Sequence, residues 1–224
     1  MSLMTQLGRE CNVFESAPQY ARQIVLNSPI LSQRKLKQIL AMGDFGSHVE
    51  IDLNYPTSET LDLALHRICQ QAEEAVRDGT LLVFLTDRHT APDKLPVHAL
   101  LAVGAVHQYL TRVGLRAACN IVVETATARD PHHFACLIGF GATAIQPYLA
   151  YQSLLALVRS GQIKRRFGEP LEIGRSYRRG LRKGLLKILS KMGISCVDSY
   201  RGAQLFEIVG LASEVVQRCF TGTP

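Results

Sequence analysis

Leu81-Leu82-Val83-Phe84-Leu85, running into Thr86-Asp87-Arg88, is an unbroken apolar stretch that ends in two charges. A strand without alternation has both faces buried, as in a parallel sheet covered on each side by helices. The flanking segments fit that reading. Upstream, Val49 to Leu53 reads as a strand. Leu61, Leu65, Ile68, Ala72 and Val76 then fall at helical spacing, with Thr57 as the expected cap and Asp78-Gly79 as the stop. Downstream, a helix is expected from near Pro96, carrying Leu100, Val103, Val106 and Leu110, and ending before Gly114. Ile121 to Val123 is the next strand, and Asp130-Pro131 opens a short helix through Ile138.

The alternation continues to the C-terminal part. Ala142 to Ile145 is expected as a strand, Tyr148 to Val158 as a helix, Gln162 to Gly174 as the longest loop, and Ser195 to Val197 as a final strand. Strands separated by single helices imply right-handed βαβ units and a mainly parallel sheet, five units in all. That pattern suits part of a (β/α) barrel or an open doubly wound sheet, and the pattern alone prefers neither. Residues 1–48 show little strand character and read as an arm of helix and loop, leaving 49–224 as the α/β domain.

With 224 residues, 47% of them hydrophobic, the chain can bury one sizeable core. No run of about 18 apolar residues occurs, so no membrane-spanning helix is expected. MSLMTQLGRECN lacks the basic start and apolar block of a signal peptide. Cys11, Cys69, Cys119, Cys136, Cys196 and Cys219 show no C-x-x-C spacing, which gives metal or iron–sulfur ligation little support and suits a reducing cytoplasmic or plastid compartment.

Charge is uneven. Arg159 to Lys191 holds eleven Lys or Arg against Glu169 and Glu172, a local +9 within a net +6. Such a block can face nucleic acid or an acidic partner. Here Tyr177, Leu181, Leu185, Ile188, Leu189 and Met192 form one stripe, with Arg178, Arg179, Arg182, Lys183 and Lys187 mostly off it. No aromatic residues interleave to stack bases, so a solvated or partner-facing helix side is expected, and no nucleic acid. Gly180 and Gly184, one turn apart in that helix, suggest close approach of another backbone.

Sites in parallel α/β folds form at the carboxyl ends of strands. Those ends supply Asp87 and Arg88, Glu124 and Thr125, Gln146, then Tyr200 and Arg201. Convergent charges there could bind a carboxylate or phosphate; equally, they could pair with one another and fix the loops. His132-His133 at a helix start point about 100° apart and cannot easily share a metal. At that end the helix dipole disfavours the charged ring. Gly139-Phe140-Gly141 is a tight turn and no dinucleotide fingerprint. No catalytic, cofactor-binding or metal-binding residue is assigned, and Cys11 has no recognisable nucleophile context.

Lys183-Gly184-Leu185-Leu186-Lys187-Ile188-Leu189-Ser190-Lys191-Met192-Gly193-Ile194-Ser195, with Ser199-Tyr200-Arg201-Gly202-Ala203-Gln204, resembles the end of the central domain of the glutamate synthase large subunit. Ser28-Pro29-Ile30-Leu31, Leu85-Thr86-Asp87-Arg88, Val122-Val123-Glu124-Thr125 and His132-His133-Phe134-Ala135 are similar to the same family, in the same order. Gln146 departs from the usual Asn, and Ala126-Thr127 from a usual Gly-Glu pair. The resemblance implies a barrel-like domain, partial or irregular. It further implies a non-catalytic linker between an amidotransferase domain and an FMN-binding domain that also involves an iron–sulfur cluster. Both cofactors would be bound elsewhere. The parent reaction would convert glutamine, 2-oxoglutarate and reductant into two glutamates.

Overall fold

The computed structural model describes residues 1–9, 14, 18–42, 47–163 and 170–224. Cys11 and residues 164–169 of the loop expected over 162–174 lie outside them, while 170–174, expected as loop, are already helical. The chain opens with an antiparallel pair, Thr5–Leu7 (β1) on Ile24–Leu26 (β2), followed by the helix Gln33–Leu40 (α1). The centre is a four-stranded sheet. His48–Asp52 (β3) precedes the short strand Asn54–Pro56 (β4), the helix Leu61–Arg77 (α2), and the strand Leu82–Thr86 (β5). Lys94–Pro96 (β6) pairs back on β4 before the helix Ala99–Arg112 (α3) and the strand Asn120–Glu124 (β7). Pro131–Gly139 (α4) then crosses to Ala144–Gln146 (β8). The sheet order is β3-β5-β7-β8, parallel throughout, with Leu85 level with Ile51 and Val123. Three more helices follow: Tyr148–Arg159 (α5), Pro170–Lys191 (α6) and Ser213–Cys219 (α7).

The side-chain period of two sorts the strands between two cores. Val83, Leu85, Ile121, Val123 and Ile145 join the large core under α2, α3, α4 and α6. Leu82, Phe84, Val122 and Ala144 point the other way, against Leu7, Leu26, Leu31, Leu36 and Ile39. The arm therefore covers the face that a closed (β/α) barrel would turn inward. Its own backbone also caps the sheet edge: Leu31 N donates to Ile145 O at 2.8 Å and Ile145 N to Pro29 O at 2.7 Å.

Several sequence expectations are corrected. The arm holds two strands, because Thr5 and Leu7 bury alternate side chains and Leu26 buries opposite them. Thr60, and not Thr57, caps α2, its hydroxyl accepting from Leu63 N at 3.3 Å. Thr57 N is held instead by Asp93 O at 3.0 Å, extending the β4–β6 pair. That same pair delays α3 to Ala99, where His98 Nδ1 accepts from Leu100 N at 3.2 Å. Ser195 to Val197 makes only a bridge, Ser2 to Cys196, before a 3₁₀ turn over Val197–Tyr200. Four parallel strands thus replace the five expected units.

Caps and glycines explain the packing. Asp130 accepts from the N–H groups of His132 (2.9 Å) and His133 (3.2 Å), with Pro131 in the first turn as expected. The α6 stripe buries Leu181, Leu185 and Leu189. Gly184 faces a side chain and no backbone: a Cβ there would lie 2.3 Å from Pro131 Cγ. A Cβ at Gly180 would meet nothing within 4 Å among the described residues. Close backbone approach occurs instead at Gly104 of α3, where a Cβ would meet Cys219 O of α7 at 2.2 Å. Opposite outcomes are expected from one substitution at two glycines of α6. Gly184→Ala loses about 1–3 kcal/mol through overpacking on Pro131. Gly180→Ala gains about 0.5–1 kcal/mol from helix propensity. Denaturant midpoints of the two variants check both signs.

Candidate functional site at the strand ends

The carboxyl ends of β5, β7 and β8 bring together five of the residues singled out in the sequence. Glu124, 4% exposed, accepts from Thr86 Oγ1 at 2.8 Å and from an Arg88 guanidinium nitrogen at 2.6 Å. The same Arg88 nitrogen reaches Gln33 Oε1 at 2.9 Å, and its guanidinium lies over the Tyr148 ring, 4.2 Å from the centroid. Asp87, 3% exposed, accepts from Thr125 Oγ1 at 2.6 Å and from Ala126 N at 3.0 and 3.1 Å. Both carboxylates are thereby supplied with donors from neighbouring chain. Buried carboxylates without such donors would carry a heavy desolvation cost.

Gln146 completes this end. Its Nε2 donates to Gln33 Oε1 at 3.1 Å, while its buried Oε1 has no partner among the described residues. Beside the rim opens a cavity of about 780 Å³, whose walls include Arg34, Lys37, Arg88, Gln146, Tyr148 and Arg178. Neither Asp87 nor Glu124 lines it, and among the described residues its walls hold no carboxylate, thiol or imidazole. Burial, then the Asp87 charge, pushes the Tyr148 phenol up to about 12, and burial also raises Tyr151. Both phenols are thus moved away from proton exchange near neutral pH.

The remaining candidates stand apart. His133 Nδ1 accepts from Arg129 N at 3.2 Å, and His132 Nε2 lies 3.6 Å from Cys136 Sγ. Among the described residues no cluster of three His, Cys, Asp or Glu could hold a metal ion. Tyr200 and Arg201 do not reach the rim, contrary to their expected place after a fifth strand. Tyr200 packs edge-on to Phe206, itself against Gly139 at the far end of α4. Arg201 pairs with Asp198 and reaches Thr5 Oγ1 at 3.5 Å, near the amino ends of the strands.

That amino end holds a network that no local sequence signal announced. Arg116 of the α3–β7 connection donates to His107 Nδ1 (2.9 Å), Cys119 O (2.8 Å) and Gly141 O (2.8 Å). Burial first, then the Arg116 and Arg201 charges, lowers the His107 imidazole to about 4 from 6.5. Because the folded value is depressed, this neutral ring stabilises the fold fully above pH 6.5, and that contribution is lost as pH falls through 6.5 toward about 4. Replacing His107 by Gln is expected to remove about 1–3 kcal/mol of the acid-side pH dependence. Unfolding free energies measured from pH 7 to 4 check this against the wild type. At the rim, Arg88→Met is expected to cost about 2–3 kcal/mol by leaving Glu124 buried and unpaired. The double change with Glu124→Gln should cost less than Arg88→Met alone, as read from urea titrations.

Comparison with known proteins fits this geometry. A family model described as glutamate synthase central domain matches residues 1–212. The chain is 39% identical, over its whole length, to ferredoxin-dependent glutamate synthase 1, chloroplastic/mitochondrial, of Arabidopsis thaliana. It is 40% identical over 99% of its length to the glutamate synthase [NADPH] large chain of Bacillus subtilis. It spans 14% of the length of each of these relatives. Among solved structures, a mutant flavocytochrome b2 with benzoylformate superposes with a TM-score of 0.51 at 11% identity, covering 83% of this chain and 43% of that one. That likeness concerns the fold alone and agrees with a partial (β/α) barrel. On the family match, the chain belongs to the glutamate synthase central domain family.

Proposed function

We propose that this domain is a non-catalytic scaffold within a longer glutamate synthase polypeptide, linking a glutamine amidotransferase domain to an FMN-binding synthase domain. The parent polypeptide would turn glutamine, 2-oxoglutarate and reductant into two glutamates, in cytoplasm or plastid. FMN and the iron–sulfur cluster would be held by other parts of it.

One observation carries this reading. At the end of the sheet where parallel α/β enzymes assemble their sites, the acids Asp87 and Glu124 are buried and bonded to neighbouring protein groups. The cavity beside them has no carboxylate, thiol or imidazole among the described residues. A stand-alone enzyme acting on a small anion would need Asp87, Glu124 and Arg201 around one pocket. Arg201 instead lines a separate cavity with His107 and Asn120. Among the described residues no helix is long and apolar enough to cross a membrane.

Titrating the 224-residue chain with FMN is expected to leave flavin fluorescence and absorbance unchanged. A yellow complex surviving gel filtration would overturn the scaffold reading.

A further inference from the structure

The basic block of α6 does not simply face solvent. It forms one wall of a second cavity, about 590 Å³, whose other wall is β2, the loop to α1 and the start of α1. Six cations line it: Arg175, Arg178, Arg179, Arg182, Lys183 and Lys35, with no acid among the described lining residues. Arg175 is paired with Glu172 and Arg178 touches Tyr151 Oη at 3.5 Å. Arg179, Arg182, Lys183 and Lys35 have no acidic partner among the described residues. Like charges gathered on one wall repel, and a chain keeps them together at a cost unless an anion neutralises them.

The floor of the cavity narrows the class of anion. Val25, 52% exposed, and the half-buried Leu186 supply apolar surface beside the cations, over the buried Leu26, Ile30 and Leu31. A free phosphate would leave that surface wet. β2 pairs only with β1, so its second edge carries no strand among the described residues. Along α6 the cations from 175 to 183 extend about 12 Å. That length matches roughly four residues of extended chain. An extended peptide with alternating acidic and apolar side chains would satisfy both the arginine wall and the apolar floor.

We propose that this groove docks an acidic, extended segment from elsewhere in the parent polypeptide, so that the basic side of α6 is an interdomain contact. The proposal rests on the scaffold reading for its source, while the groove's preference can be measured independently. The probe is a fluorescein-labelled peptide of four Glu-Val repeats, followed by polarisation against the 224-residue chain. Binding should weaken about tenfold in the Arg179→Glu/Arg182→Glu variant. It should be little changed in Lys187→Glu/Lys191→Glu, which alters the same helix by the same charge outside the groove. Arg179 and Arg182 are exposed, and thermal melts would verify that both variants fold.

Equal loss in the two variants, no binding, or a preference for pyrophosphate or duplex DNA over the peptide would overturn the proposal. The source is tested by hydrogen exchange in the whole polypeptide. Amides of 24–31 and 175–186 should exchange more slowly there than in the 224-residue chain, and equal rates would refute an intramolecular occupant. FMN binding by the chain would refute the scaffold reading and leave the peptide result standing.

Discussion

The Glu124 carboxylate is the constraint on which the carboxyl end of the sheet depends. A buried carboxylate must be met by donors or it costs several kcal/mol. Thr86 of β5 and Arg88 just beyond it meet Glu124 of β7, and Arg88 then reaches Gln33 of α1. Gln146 of β8 joins through the same Gln33 oxygen. One acid thus ties three strands and the leading arm into a single hydrogen-bonded end. Asp87 does the same for the loop after β7 by taking the hydroxyl of Thr125 and the amide of Ala126.

This arrangement explains how half a barrel stands without closing. Four parallel strands would leave their inward face open. Leu7, Leu26, Leu31, Leu36 and Ile39 of the arm cover it, and residues 29–31 pair with the outer edge of β8. The arm is therefore structural core. The large core on the other face then depends on close approaches, with Gly104 admitting α7 and Gly184 admitting Pro131. Such contacts bring these elements into close packing, while the acids at the strand ends are bonded to the domain's own groups.

Much of the frame was legible in the sequence, and the reasons differ by element. Leu82 to Leu85 has no polar residue, so its burial on both faces could be read directly. Asp130-Pro131 combined a cap with a first-turn proline, and α4 begins there. The three-residue strands β1, β2, β4 and β6 were not legible, because so short a segment shows no period. Their pairing also decided where α2 and α3 start, which moved the cap from Thr57 to Thr60. Asp87, Arg88, Glu124, Thr125 and Gln146 could be grouped because strand ends can be counted along the chain. Tyr200 and Arg201 were misplaced because their position assumed a fifth strand, where the chain makes only the Ser2–Cys196 bridge. The His107–Arg116–Gly141 contact joins separate turns and left no local pattern to read.

We propose that the strand-end rim, whose two acids are bonded to the domain's own groups, holds no substrate of the proposed parent reaction. Amide chemical shifts of the isotopically labelled chain, recorded while 2-oxoglutarate, glutamine or glutamate is added to millimolar levels, test it most directly. The account predicts unchanged shifts at Asp87, Arg88, Glu124, Thr125, Ala126 and Gln146 for all three compounds. Saturable shifts confined to those residues would contradict it.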